Sequence, residues 1–154
     1  MKLTHYSDYS LRVLIYLGLR DDTLSTITDI AGHYGISRNH VVKVVHRLGQ
    51  LGYVDTLRGK NGGLRLARAP WEINVGDVIR HTEANLNPVE CFSDEEACVL
   101  TPVCVLRDAL SNALAAFLQV LDGYTVEDLL APRHELHQQL FFRAVPLDDQ
   151  GASD

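Results

Sequence analysis

Thr26-Ile27-Thr28-Asp29-Ile30-Ala31-Gly32-His33-Tyr34-Gly35-Ile36-Ser37-Arg38-Asn39-His40 is the stretch that decides the fold. Thr26 with Asp29 three residues on is a capping-box start for a short helix. Gly35 stands where a helix ends in a left-handed residue, and Ser37 caps the helix that follows. That second helix is predicted to run to about Leu51, with Val41, Val44, Val45 and Leu48 on its apolar face. Its other face carries Arg38, Asn39, His40, Lys43, His46 and Arg47. Two short helices joined by a glycine turn make a helix-turn-helix, in which Ala31 lets the helices approach and Ile36 plugs the core. The second helix of such a motif lies in the DNA major groove with its first residues at the base edges. Ser37, Arg38, Asn39, His40 and Lys43 are therefore candidate DNA contacts. A plain helical hairpin with a solvated basic face has the same pattern, so the flanks must decide.

Downstream, residues 52–58 read as a strand and residues 63–67 alternate as a second. Between them lies Gly59-Lys60-Asn61-Gly62, whose Asn-Gly pair favours a type I′ turn. A basic hairpin after a helix-turn-helix is a wing. From Ser37 to Arg68 there are seven Lys/Arg and one Asp. Arg58, Lys60, Asn61 and Arg65 are the wing's candidates for phosphates or a narrow minor groove. Upstream, residues 4–20 read as a first helix, capped by Thr4 or Ser7 and apolar on two faces. Tyr9, Val13, Tyr16 and Leu17 form one face; Leu11, Leu14 and Ile15 form the other. Asp8 and Arg12 stand one turn apart on it, a spacing that ordinarily makes a solvated ion pair of little worth.

Beyond Pro70, Trp71 and Ile73 are expected to pack beneath the wing, and residues 75–84 to form a fourth helix. Cys91-Phe92-Ser93-Asp94-Glu95-Glu96-Ala97-Cys98-Val99-Leu100-Thr101-Pro102-Val103-Cys104 then holds all three cysteines of the chain. No secretion signal is read at the N-terminus, so the compartment is expected to be cytoplasmic and reducing, where disulfides are rare. Clustered thiols there point to a soft metal or an iron–sulfur cluster. Zinc competes, but short zinc sites carry Cys-x2-4-Cys pairs, and the spacing here is Cys-x6-Cys-x5-Cys. Thr101-Pro102 fits the start of a long helix. Leu106, Leu110, Ala113, Leu114, Phe117, Leu118 and Leu121 form its continuous stripe, and Gly123 ends it. A stripe so long in a chain of 154 residues calls for a partner surface, and the same helix of a second copy supplies one. A short capped helix at 125–130 follows. His134, Glu135 and His137 could be read as a metal tract, but that spacing is a weak signal, and solvated side chains are the expectation. The rest, from 132 to 154, is expected to be a partly disordered tail.

The charge agrees with this division. The net charge is −6, yet residues 1–82 carry eleven Lys/Arg against seven Asp/Glu, and residues 83–154 carry three against thirteen. A basic half for a polyanion precedes an acidic half with another task. No run of about 18 apolar residues exists, so no membrane span is expected. Enzyme classes lack their signatures: there is no nucleophile elbow, zinc-protease helix or nucleotide loop.

Thr4-x4-Tyr9-x-Leu11-Arg12, Ser37-Arg38-Asn39-His40-x2-Lys43, the wing Arg58-Gly59-Lys60-Asn61-Gly62-Gly63 and the three cysteines before a long helix resemble the iron–sulfur winged-helix regulators. The likeness runs from Met1 to about Leu130. It implies a homodimeric transcriptional repressor holding an iron–sulfur cluster at the dimer interface on Cys91, Cys98 and Cys104, and binding a palindromic operator. The cysteine-regulon branch of the family lacks this cysteine set. The branch most alike responds to nitric oxide. There an aspartate of the first helix, from the other subunit, completes the ligands; Asp8 stands at that position, with Arg12 one turn on to orient or neutralise it. The resemblance favours a [4Fe-4S] over a [2Fe-2S] cluster. A related regulator of cluster status or redox stress is the alternative function. The expected architecture is mainly α with a small β-hairpin wing: a winged helix-turn-helix (1–84), a cysteine-containing loop (85–105), a dimerisation helix with a short capping helix (106–131) and the tail (132–154).

Overall fold

The computed structural model describes residues 2–94 and 98–142. Seven α-helices and one two-stranded sheet are found among them. Helix α1 (His5–Leu19) is capped by the Thr4 side chain, which accepts from the Ser7 amide. It buries Val13, Leu14, Tyr16, Leu17 and Leu19, and packs against the helices at Arg38–Gln50 and Val75–Thr82. Burial on two faces is what its double stripe requires.

Helix α2 (Ile27–Tyr34) opens on the full capping box of Thr26 and Asp29 and closes on Gly35 at φ 64°. Ile30, Ala31 and Ile36 are buried at the turn. Helix α3 (Arg38–Gln50) is capped by Ser37 and buries Val41, Val44, Val45 and Leu48, the face read from sequence.

The hairpin departs from expectation. Its strands are shorter: β1 (Val54–Leu57) pairs antiparallel with β2 (Gly63–Leu66), with Leu57 opposite Gly63. The connecting turn is closed by the Gly62 amide on the Gly59 carbonyl at 3.0 Å, which centres it on Lys60-Asn61. No non-glycine residue has positive φ among the described residues, so Asn61 does not adopt a type I′ turn. The positive φ falls instead on Gly59, at 113°. Gly62 is needed because a Cβ there would collide with the Leu57 carbonyl oxygen. A third edge was not foreseen. Ser25 pairs with Leu64, amide to carbonyl in both directions at 3.1 and 2.8 Å, and ties the wing to the start of α2.

Trp71 is not beneath the wing. It is 62% exposed on a 3-10 turn at Pro70–Glu72, whereas Ile73 is fully buried. Helix α4 (Val75–Thr82) lies between α1 and α5. The cysteine stretch contains two further 3-10 turns, Glu90–Phe92 and Thr101–Val103. Pro102 sits in the second, so the long helix α5 (Val105–Asp122) starts after it, with Cys104 as its N-cap. No residue of α5 is buried. Helix α6 (Val126–Leu129) opens on a second capping box, Thr125 with Asp128, and buries Val126.

The described part of the tail, up to residue 142, is helical. Helix α7 (Arg133–His137) runs into a π-turn at Gln138–Phe142. Phe141 packs on Tyr16 and His33, with ring centroids 5.4 and 5.0 Å away. Arg133 donates to Asp21 at 2.8 Å. The rest of the tail, 143–154, on which the expectation of partial disorder falls, lies outside the described residues. Among the described residues no helix is long and apolar enough to cross a membrane.

Candidate nucleic-acid interface and thiol site

The basic face is presented by two elements. Ser37, Arg38, Asn39, His40 and Lys43 are all exposed on the first two turns of α3, opposite its buried valines. They point outward because helical period puts them on the face away from those valines. Arg58, Lys60 and Asn61 are exposed at the hairpin tip, and Arg65 on β2. Arg65 stands directly opposite Asp55 and donates to it at 3.4 Å. Sequence reading treated Arg65 as an open cation; the register pairs it with the only acid of the basic segment. Both partners are about half exposed, so the pair is weak and the guanidinium can still turn to a phosphate.

Two of the recognition residues are tied to α1. The rings of His5, Tyr9 and His40 follow one another at 5.7 and 5.9 Å. The Tyr6 hydroxyl donates to the Lys43 carbonyl at 3.4 Å. Asp8 lies on the same helix. Arg12 grips it with two bonds, Nε to Oδ1 at 3.0 Å and Nη2 to Oδ2 at 2.9 Å. The Arg12 guanidinium also lies 5.9 Å from the rings of both Tyr9 and Tyr34. Tyr34 donates its hydroxyl to the Arg12 carbonyl at 3.0 Å. Burial pushes the Tyr34 hydroxyl up to about 12, so it stays a donor at any physiological pH. Tyr9 was read on a face of the first helix and Tyr34 only as part of the stretch leading into the glycine turn; their role in holding Arg12 needed the tertiary structure. Asp8 remains 43% exposed and reachable from outside the chain.

The three cysteines are free thiols, Cys98 exposed and Cys91 and Cys104 half-buried. Two observations bear on whether they suit a cluster. Cys104 caps α5, its Sγ accepting from the Arg107 amide at 3.4 Å, and the positive end of a helix suits an anionic ligand. The Arg107 guanidinium lies 5.9 Å from the Phe92 ring, which draws the neighbourhood of Cys91 towards that of Cys104. Beside Cys104 the Thr101 hydroxyl is buried with no partner among the described residues, a donor left over for something not contributed by them. Thr101, Cys104, Arg107 and Asp108 help to line an open cleft of about 560 Å³. The donor set is therefore right for an iron–sulfur cluster. Among the described residues, however, no three of His, Cys, Asp and Glu are gathered for a metal. Asp8 and the thiols are not brought together within one chain.

The N-terminus of α1 is anchored at the end of α4, where the loop to the cysteines begins. Glu83 accepts from the Thr4 amide at 2.7 Å and the Thr4 hydroxyl at 3.0 Å, and the buried hydroxyls of Ser7 and Thr82 meet at 2.8 Å. Burial pushes the Glu83 carboxyl up, but the donors of Ser7 and Thr4 more than reverse this and hold it below its usual value.

A family model described as Rrf2, an iron-dependent transcriptional regulator, matches residues 3–132. The chain is 52% identical over 142 residues to the HTH-type transcriptional regulator NsrR of Bacillus licheniformis, covering 91% of this chain and 99% of that one. To the NsrR of Bacillus subtilis it is also 52% identical, covering 91% and 97%. Among solved structures it superposes on CymR, the global cysteine regulator of B. subtilis, with a TM-score of 0.69 at 28% identity, covering 86% and 98%. IscR of T. potens matches with a TM-score of 0.71 at 23% identity, a likeness of fold.

Proposed function

Since the chain belongs to the Rrf2 family of transcriptional regulators, and is like its relatives a regulator and not an enzyme, we propose that it is a nitric-oxide-responsive repressor acting in the cytoplasm. It works as a homodimer through α5 and carries an iron–sulfur cluster, [4Fe-4S] in preference to [2Fe-2S]. The observation that carries this reading is the pairing of three free thiols on one loop with an exposed carboxylate, Asp8, on the helix that supports the recognition residues. Cys91, Cys98 and Cys104 hold the cluster, and Asp8 of the other subunit is the fourth ligand. Bound there, the cluster supplies an iron with a hard, weakly held carboxylate beside soft thiolates, open to a small molecule.

The rest follows from the chain's own residues. While Asp8 is engaged, α1 is held at the dimer interface, and Arg12 is free to balance the carboxylate or turn to Tyr9 and Tyr34. Without the cluster, Asp8 would have Arg12, one turn on, as its partner. The ring contact from Tyr9 to His40 and the Tyr6 bond at Lys43 pass that difference to α3. Two sites then bias one element, as allostery requires. The dimer holds its operator through Ser37, Arg38, Asn39, His40 and Lys43 in the major groove and Arg58, Lys60, Asn61 and Arg65 at the wing. On exposure to nitric oxide it lets go, and the repressed genes are transcribed.

The test is anaerobic purification with iron and sulfide counted, then operator binding and visible spectra before and after nitric oxide. The expected result is a coloured dimer that loses operator affinity on exposure. Replacing all three cysteines with Ala should abolish the colour and leave the chain folded. Asp8→Ala should keep iron but change the spectrum and the rate of reaction. Full iron content in the triple variant, or operator binding indifferent to nitric oxide, would overturn the proposal.

A further inference from the structure

The long helix ends on an acid. Asp122 is the last residue of α5, at the negative end of the helix dipole, where a carboxylate is disfavoured. Three features of the fold converge to accommodate it. Arg80 of α4 grips it with a two-bonded fork, Nη1 to Oδ1 at 2.6 Å and Nη2 to Oδ2 at 2.7 Å. Asn74, the cap of α4, donates its side-chain amide to the Asp122 carbonyl at 2.8 Å. Position 76 is glycine, and any Cβ there would collide with the Asp122 carboxylate. Backbone bonds flank this grip: Val75 donates to the Tyr124 carbonyl and Val126 to the Ile73 carbonyl, both at 2.9 Å. The pair is part-exposed, so it adds little to stability. A planar fork held in one geometry does something else: it fixes an angle.

That angle matters because of what α4 carries. Its other side packs on α1, joined by Ser7 and Thr82, and α1 packs on α3. The line from α5 through α4 and α1 to the recognition helix is a chain of packed elements with one polar grip at its root. We propose that Asp122, clamped by Arg80, is a positioning residue that sets the angle of the DNA-binding unit on the long helix, and so the spacing of operator half-sites the dimer accepts. This rests on the reading that α5 forms the dimer. One inserted base pair moves a half-site by about 3.4 Å and turns it by about 35°. A dimer with a fixed angle tolerates that poorly; one with a loose joint follows it.

The experiment uses the full chain and an operator recovered by selection from random duplex DNA. Its half-site spacing is then changed by one base pair in each direction. The unaltered dimer should lose at least about tenfold in affinity for each altered spacing, roughly the cost of one lost good contact. In Asp122→Asn and in Gly76→Ala the loss should fall to about threefold or less, with the dimer retained in sedimentation and the salt dependence on random DNA unchanged. Arg80→Lys keeps the charge without the fork and should behave like Asp122→Asn. If both Asp122→Asn and Gly76→Ala keep the full spacing penalty, the positioning role is wrong. If the unaltered chain sediments as a monomer, the dimer reading has failed, and this inference with it; if it sediments as a dimer but binds all spacings alike, the joint is loose and the positioning role is wrong.

Discussion

The two halves of the chain solve opposite problems. Every buried hydrophobic residue from Val13 to Ile79 belongs to the winged helix-turn-helix, and α6 closes it with Val126 and Leu130. Helix α5, longer than any other, has no fully buried residue; Val105 and Leu106 at its start, and Val99, Leu100 and Val103 before it, are more than half exposed. One half is a finished core; the other leaves its apolar side chains open, as the proposed dimer requires. The difference teaches where the signal is to be sought. A close-packed core resists small changes, whereas an element completed from outside the chain responds to whatever completes it.

The sharpest way to break this comparison is to charge the open half. Leu114→Glu with Phe117→Glu should abolish the dimer in sedimentation and lower operator affinity by a hundredfold or more, about 3 kcal/mol, while the winged helix melts unchanged. If the melt collapsed with the dimer, α5 would belong to the first core after all. The converse change is Leu48→Ala, in the fully buried face of α3. It should destabilise the fold by about 2–5 kcal/mol in denaturant unfolding, while the folded fraction keeps its iron. Lys60→Ala asks whether the hairpin tip belongs to the DNA surface. It should weaken binding on all sequences and flatten the salt dependence by about one unit, read from a log–log plot of affinity against salt. An unchanged slope would remove Lys60 from the interface.

The smallest effect lies at the seam between the halves. Glu83 has its carboxyl held below the usual 4.5 by the donors of Thr4 and Ser7. Its contribution is therefore full above that value and lost as pH falls through the lowered one. Glu83→Gln should cost about 0.5–1 kcal/mol near neutrality, as loss of a helix cap does. The gap between variant and parent should close in acid unfolding as pH falls below 4.5 and through the lowered value. A gap that stayed constant with pH would mean the carboxylate charge is not what holds α1.

Much of the first half was legible because its signals are local. Capping by Thr26 with Asp29 and by Ser37, and the left-handed glycine at 35, need only a few neighbouring residues. The valine face of α3 is a matter of helical period. Most of what was missed turned on a partner distant in sequence. The Asn61-Gly62 turn was misjudged because Leu64 docks on Ser25 and sets the register, so the turn closes around Lys60-Asn61 instead. Arg65 has a partner because that same register puts Asp55 opposite. Trp71 stays outside because Ile73, two residues on, takes the buried place against α6. Pro102 belongs to a 3-10 turn, and Cys104, marked only as a thiol ligand, is also the cap of α5.

By itself the sequence determined the motif, the basic face, the gathering of three thiols in one stretch and the long apolar stripe, because each is a pattern of residue types at short spacing. Only the tertiary structure decided how Asp8, Arg12, Tyr9 and His40 line up between the first helix and the recognition helix, and that Asp122 is gripped by Arg80 across 42 residues. Those relations depend on packing angles between helices. Packing angles are set by the whole core rather than by any window of sequence.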